Sequence, residues 1–143
     1  MAKDFGEDPR NANKGTERGK KMLDKSVADL GAGRSIVVDK NDLVIAGNKT
    51  RHAMVETGIS EAIVVETDGT QLVVVKRTDM DLSDKKGSAR KLAYADNRVG
   101  QIDLEWNADV IIEDIADGLE LDGMFSDKEL KKITDATNVD PVE

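Results

Sequence analysis

SIVVDKNDLVIAGNKT, residues 35–50, is the stretch on which the fold turns. Ile36, Val37 and Val38 form a β-branched run, and Lys40-Asn-Asp42 reads as a turn. Leu43 to Ala46 is a second apolar run, so the two predict a hairpin. At Gly47 the pattern changes. Gly47-Asn48 opens a segment through Thr50, Arg51, Ala53, Met54 and Val55, and Gly58 closes it. That spacing predicts a short helix started by a Gly-Asn turn.

Upstream, Leu23, Val27 and Leu30 recur at i, i+4 and i+7, and Gly31 follows as a stop signal. A helix is predicted there. Downstream, Ala62 to Glu66 and Gln71 to Arg77 are β-rich runs flanking Asp68-Gly69, a strong hairpin signal. Their consecutive valines predict strands covered on both faces. Ile36, Val38, Val44, Val64, Val73 and Val75 are the expected core of the sheet.

The C-terminal part reads as helical. Ser88 to Ile102 carries Leu92, Ala95 and Val99 on one stripe. Val110, Ile111 and Ile115 form a second amphipathic pattern behind Trp106, the only tryptophan, which is expected to anchor the C-terminal helix on the core rather than to stack on a base. Ser126-Asp-Lys-Glu129 is a capping box before Leu130 and Ile133. Thr137 to Glu143 is expected to fray. The fold class is therefore α+β: a small mixed β-sheet with packed helices and a helical C-terminal part. The expected organisation is a flexible segment at 1–18, a domain at 19–118 and a helical extension at 119–143.

Composition bounds the chemistry. Lys and Arg number 21 against 29 Asp and Glu, a net charge of −8 in 143 residues. Such a chain is a poor non-specific binder of polyanions. There is no cysteine and one histidine, His52. A thiol nucleophile, a Cys-based zinc site and a His relay are all excluded. No apolar run approaches the roughly 18 residues of a membrane span. The first residues, MAKDFGEDPR, lack the apolar centre of a secretory signal. The expectation is a cytoplasmic protein with no membrane partner.

Three segments carry more polar detail than a scaffold requires. In Gly31-Ala-Gly33-Arg34-Ser35, two glycines allow a tight turn with exposed N–H groups, and Arg34 can clamp an anion; the plain alternative is a helix C-cap with a surface arginine. Gly47, Asn48, Lys49, Thr50 and Arg51 follow a strand and open a helix. Free N–H groups and the helix dipole there suit a phosphate, although the Walker A spacing is absent. The alternative is an ordinary N-cap with solvated cations. Asp96 and Asn97 lie inside a helical pattern, where such residues are poor formers. A carboxylate beside an amide oxygen suits Mg²⁺ held largely through phosphate and water; the alternative is a solvated helix face.

In this order the segments resemble the ParB/sulfiredoxin-like superfamily, in particular the ParB-like nuclease or ParB N-terminal domain of phages and mobile elements. The resemblance runs from about Asn11 to about Ile115. ParB proteins bind a nucleoside triphosphate with G-E-R-R-x-x-A at a helix start. Here the motif reads Gly47-Asn48-Lys49-Thr50-Arg51-His52-Ala53, with Asn48 in place of Glu and Thr50 in place of the second Arg. The later metal-holding E-N pair corresponds to Asp96-Asn97. Sulfiredoxin chemistry needs a cysteine that this chain lacks. Related domains phosphorylate free serine with a nucleotide. The 28 residues that follow Ile115 in this sequence are not expected to hold the DNA-binding and dimerisation parts of a partition ParB.

The resemblance thus implies a nucleotide-binding domain of a phage or mobile-element accessory protein, located in the host cytoplasm. Its cofactors would be a nucleoside triphosphate and Mg²⁺, and its reactions nucleotide hydrolysis or phosphoryl transfer. Nucleic acid would be reached only indirectly or through a partner protein. A nuclease-like protein and a non-catalytic interaction module are the competing functions.

Overall fold

The computed structural model describes residues 1–121 and 123–138. It is α+β, with five α-helices and one two-stranded antiparallel sheet among the described residues. The first helix, α1 (Glu17–Leu30), begins where Thr16 leaves extended backbone and its side chain accepts from Gly19 N at 3.0 Å. Satisfying that orphan N–H is what an N-cap does. Gly31, at φ 75°, ends the helix. Val27 is buried at the centre of the apolar stripe.

β1 (Val37–Val38) and β2 (Val44–Ala46) pair antiparallel, Val37 opposite Ala46 and Val38 opposite Val44. Asp39 builds the turn between them. Its carboxylate accepts from the N–H groups of Asn41 and Leu43, each at 2.9 Å. Val44 is buried, while Ile36 and Val38 are half-buried. Gly6 bridges Leu43 on the other side, so the N-terminal segment lies along the hairpin.

α2 (Asn48–Glu56) follows β2 directly and buries Thr50 and Ala53. α3 (Ser88–Ile102) and α4 (Ala108–Ala116) have the bounds their patterns predict to within a few residues. Asn107 caps α4 by accepting from Val110 N at 3.3 Å. α5 (Asp127–Asn138) starts with the expected capping box: Glu129 N donates to Ser126 Oγ at 3.1 Å, and Ser126 N donates to Glu129 Oε1 at 3.0 Å. Just before α5, Phe125 meets Trp106 edge-on, with ring centroids 5.2 Å apart. The expected fraying at the C-terminus concerns mainly residues 139–143, which lie outside the described ones.

α1 packs on both α2 and α3. Its contact with the end of α3 is unusually close. A Cβ on Gly19 would sit 2.5 Å from Asp103 Cα, so only glycine fits. Thr16 tightens the same junction. Its N–H donates to Asp103 Oδ1 and its hydroxyl to Ile102 O, both at 2.8 Å.

One expectation fails. Residues 61–66 and 71–76 form no strands, and the sheet is correspondingly smaller than predicted. Val64, Val73 and Val75 are exposed rather than core, at 61%, 47% and 62%. The Asp68-Gly69 turn itself is present. Asp68 Oδ1 accepts from Thr70 N at 3.1 Å, and Gly69 has φ 86°. Turn chemistry is local and forms on its own, whereas β-propensity measures fit to a half-buried pleated surface. Here no such surface lies beside the runs, and an isolated two-stranded hairpin is marginal in water.

Candidate functional site

The end of β2, the start of α2, the loop after α1 and the middle of α3 meet around a cavity of about 260 Å³. Gly47 makes the corner between β2 and α2. Its φ of 104° is left-handed, and a Cβ there would lie 2.5 Å from Ile36 Cγ2. Both the turn and the close approach require glycine. Because Gly47 has no side chain to cap with, the first N–H groups of α2 stay free. Those of Asn48, Lys49 and Thr50 meet no acceptor among the described residues. All three residues line the cavity. The helix therefore presents three unsatisfied donors and its positive dipole end there.

The side chains sort these residues further. Asn48 Oδ1 accepts from Asp8 N at 2.8 Å, which ties the N-terminal segment to α2. The Lys49 ammonium forms no ion pair among the described residues, and Lys49 lines both this cavity and a larger hollow beside it, about 710 Å³. Arg51 goes elsewhere. Its guanidinium donates to Phe5 O at 2.9 Å and pairs with Glu7 at 3.2 Å. Residues 49 and 51 are about 200° apart on a helix, so they cannot share a face. Of the five residues expected together as a phosphate-binding helix start, Arg51 is therefore the one that does not line the cavity.

Across the cavity stand Gly31, Gly33 and Arg34 from the loop after α1, and Asp96 from α3. Arg34 and Asp96 hold each other. Nε lies 2.7 Å from Oδ1, and Nη2 lies 3.1 Å from Oδ2. The fork is bidentate, yet both side chains are substantially exposed, at 60% and 37%, so the pair contributes little to stability. Asn97 is exposed and lies off the cavity, as the roughly 100° step between neighbouring helix residues requires. Ser35 is likewise exposed and off it.

Asp103 was not singled out by its sequence context. It is 5% exposed, caps the end of α3 and lines both hollows. Its partners, Gly15, Thr16 and Gly19, are more than 80 residues away in the chain. The only local trace was the Gly-Thr-x-x-Gly spacing that leaves room for a backbone contact. Asn13 was also missed. Its amide donates to Asp103 O at 3.1 Å, and its Oδ1 accepts from Gly15 N at 2.9 Å.

The larger hollow is ringed by both signs of charge. Lys20 donates to Glu56 at 3.1 Å and to Asp24 at 3.2 Å, which raises its pKa above the ordinary 10.5. The same Lys20 bond, with His52 adding attraction, holds the Glu56 carboxyl below its usual range. Among the described residues no three of His, Asp and Glu converge as a metal-holding group. In the smaller cavity Asp103 is already engaged by Thr16 N, so a cation there would rest on Asp96, with the remainder of its shell from ligand oxygens and water. Asp96 suits that role only after Arg34 releases it.

The described helices include none long and apolar enough to cross a membrane. No family model, curated protein or solved structure matches the chain.

Proposed function

We propose that the cavity binds the phosphates of a nucleoside triphosphate, in the manner of a ParB-like domain. The observation that carries this reading is the set of three free N–H groups at the start of α2, with the unpaired Lys49 beside them and Arg34 across the cavity. Together they make an anion site with fixed donors and mobile cations.

The Arg34–Asp96 fork gives the site a defined response to its ligand. A phosphate competes for Arg34 and so frees Asp96. Asp96, its former partner engaged, would then be free to hold a phosphate-bound Mg²⁺. Mg²⁺ would neutralise charge on the phosphoryl oxygens and so favour hydrolysis or phosphoryl transfer. The chain's own contribution is to hold the phosphate chain against the α2 N–H groups and to keep Lys49 and Arg34 within reach of it. The nuclease-like alternative draws less support, since it calls for several converging carboxylates.

The test is a thermal-shift panel of nucleoside triphosphates with and without Mg²⁺, run on the wild type and on Lys49→Ala. At about 100 times the dissociation constant, a bound nucleotide stabilises the fold by roughly 2.7 kcal/mol. The expected result is a shift with at least one nucleotide that is enlarged by Mg²⁺ and lost in Lys49→Ala. A wild type indifferent to every nucleotide overturns the reading.

A further inference from the structure

Residues 61–76 stand apart from the rest of the surface. Both ends of the segment are anchored. Ala2 N donates to Ser60 O at 2.9 Å, and the Arg77 guanidinium donates to Leu30 O and Ala32 O, each at 2.8 Å. Between those anchors, the backbone of 61–66 and 71–76 makes no hydrogen bond among the described residues. The side chains are as unpartnered as the backbone. Ile63 is 96% exposed and Leu72 88%, and Val64, Val65, Val73, Val74 and Val75 are all exposed. A contiguous apolar run with open backbone donors and acceptors is what natural surfaces avoid unless something pairs with it.

We propose that this arm is a self-association surface, and that its partner is a second copy of this chain. Residues 62–65 of one copy pair antiparallel with 72–75 of the other, and the reciprocal pair forms by symmetry. The charges select this register. With Val64 opposite Val73, Glu61 falls opposite Lys76, and none of Glu61, Glu66 and Lys76 has an ionic partner among the described residues. Pairing 62–65 with its own copy would instead set Glu61 against Glu66, and like charges directly opposite repel. Area points the same way. Seven large apolar side chains, mostly more than half exposed, offer an area on the order of the ~800 Å² that each partner brings to a standard interface.

Closing the arm on itself would satisfy the same ladder but leave both faces of it wet. The apolar positions are consecutive, so side chains point to both faces and need cover on both. The two reciprocal ladders of a dimer can stack face to face and cover one face of each, which a single hairpin cannot do. The surface lies outside the cavity, and its proposal does not depend on nucleotide binding.

The absence of cysteine makes a clean test. Val64→Cys and Val73→Cys chains are prepared separately, mixed and oxidised, and the species are read on a non-reducing gel. Sedimentation of the wild type and of Val74→Lys runs in parallel, with far-UV circular dichroism to confirm the fold. The expected results are a wild-type dimer, a monomeric Val74→Lys with an unchanged spectrum, and a disulfide-linked dimer that forms in the mixture well above the level of either variant alone. A wild type monomeric at every concentration overturns the proposal. So does a dimer in which the mixture fails to cross-link, or a Val64→Cys/Val73→Cys double variant that closes only within one chain.

Discussion

Gly47 carries two demands at one atom: a left-handed φ of 104° and a gap in which Ile36 Cγ2 leaves no room for a Cβ. Gly47→Ala is therefore expected to cost about 1–3 kcal/mol, measured as a lower urea midpoint at unchanged m. Gly19→Ala should cost more, because the atom it would meet is the backbone of Asp103 rather than a side chain. Arg34 behaves oppositely. Its fork to Asp96 is exposed, so Arg34→Ala should move apo stability by no more than about 0.5 kcal/mol while weakening nucleotide affinity. Asp96→Asn is the complementary change. It should tighten nucleotide binding without Mg²⁺, by freeing Arg34, and abolish the gain that Mg²⁺ brings. Titration calorimetry with and without EDTA reads both effects. Gly47, Lys49, Arg34 and Asp96 could be picked out from the chain because each stands in a local pattern of turn or helix start. Asp103 could not, because what makes it notable is burial against residues 84 to 88 positions away.

At the level of elements, α2 separates its two cations. Lys49 faces the cavity and Arg51 staples the N-terminal segment through Phe5 and Glu7. Lys49→Ala should leave hydrogen exchange of residues 5–8 unchanged, and Arg51→Ala should accelerate it. The base of the 61–76 arm adds a pH-sensitive contact. Arg77 donates to the last carbonyls around α1 and pairs with Asp79, and that pairing holds the Asp79 carboxyl below its ordinary 3.8. A depressed carboxyl contributes stability that is present above the ordinary value and is lost as pH falls through the folded value. The stability difference between wild type and Asp79→Asn should therefore be full at neutral pH and vanish well below pH 3.8, as followed by thermal melts across acid pH. Helices and the first hairpin could be read from periodicity and caps, which act over four or five residues. The second hairpin misled for the same reason: its turn is local, but its ladder needs a surface that periodicity does not describe.

Across the whole fold, the buried apolar set among the described residues is short: Val27, Val44, Ala53, Ala89, Ala108 and Ile111. Small side chains dominate it, which allows the close crossing of α1 and α3 but leaves a modest core. Ligand binding should then show plainly in the melting curve. A gain of roughly 2.7 kcal/mol, at about 4 °C per kcal/mol for a domain near this size, raises Tm by on the order of 10 °C.

The contact between Trp106 and Phe125 has a practical consequence. Trp106 also bridges Asn13, and Asn13 lines both hollows. The chain's sole indole thus sits where the N-terminal segment, the approach to α5 and the rim of the cavity come together. Its fluorescence is a built-in optical reporter that needs no label. The indole is already 38% exposed, so a ligand that displaces the N-terminal segment would red-shift the emission further and raise its acrylamide quenching. One that settles against α2 alone would leave the spectrum untouched, so a single titration distinguishes the two routes of entry.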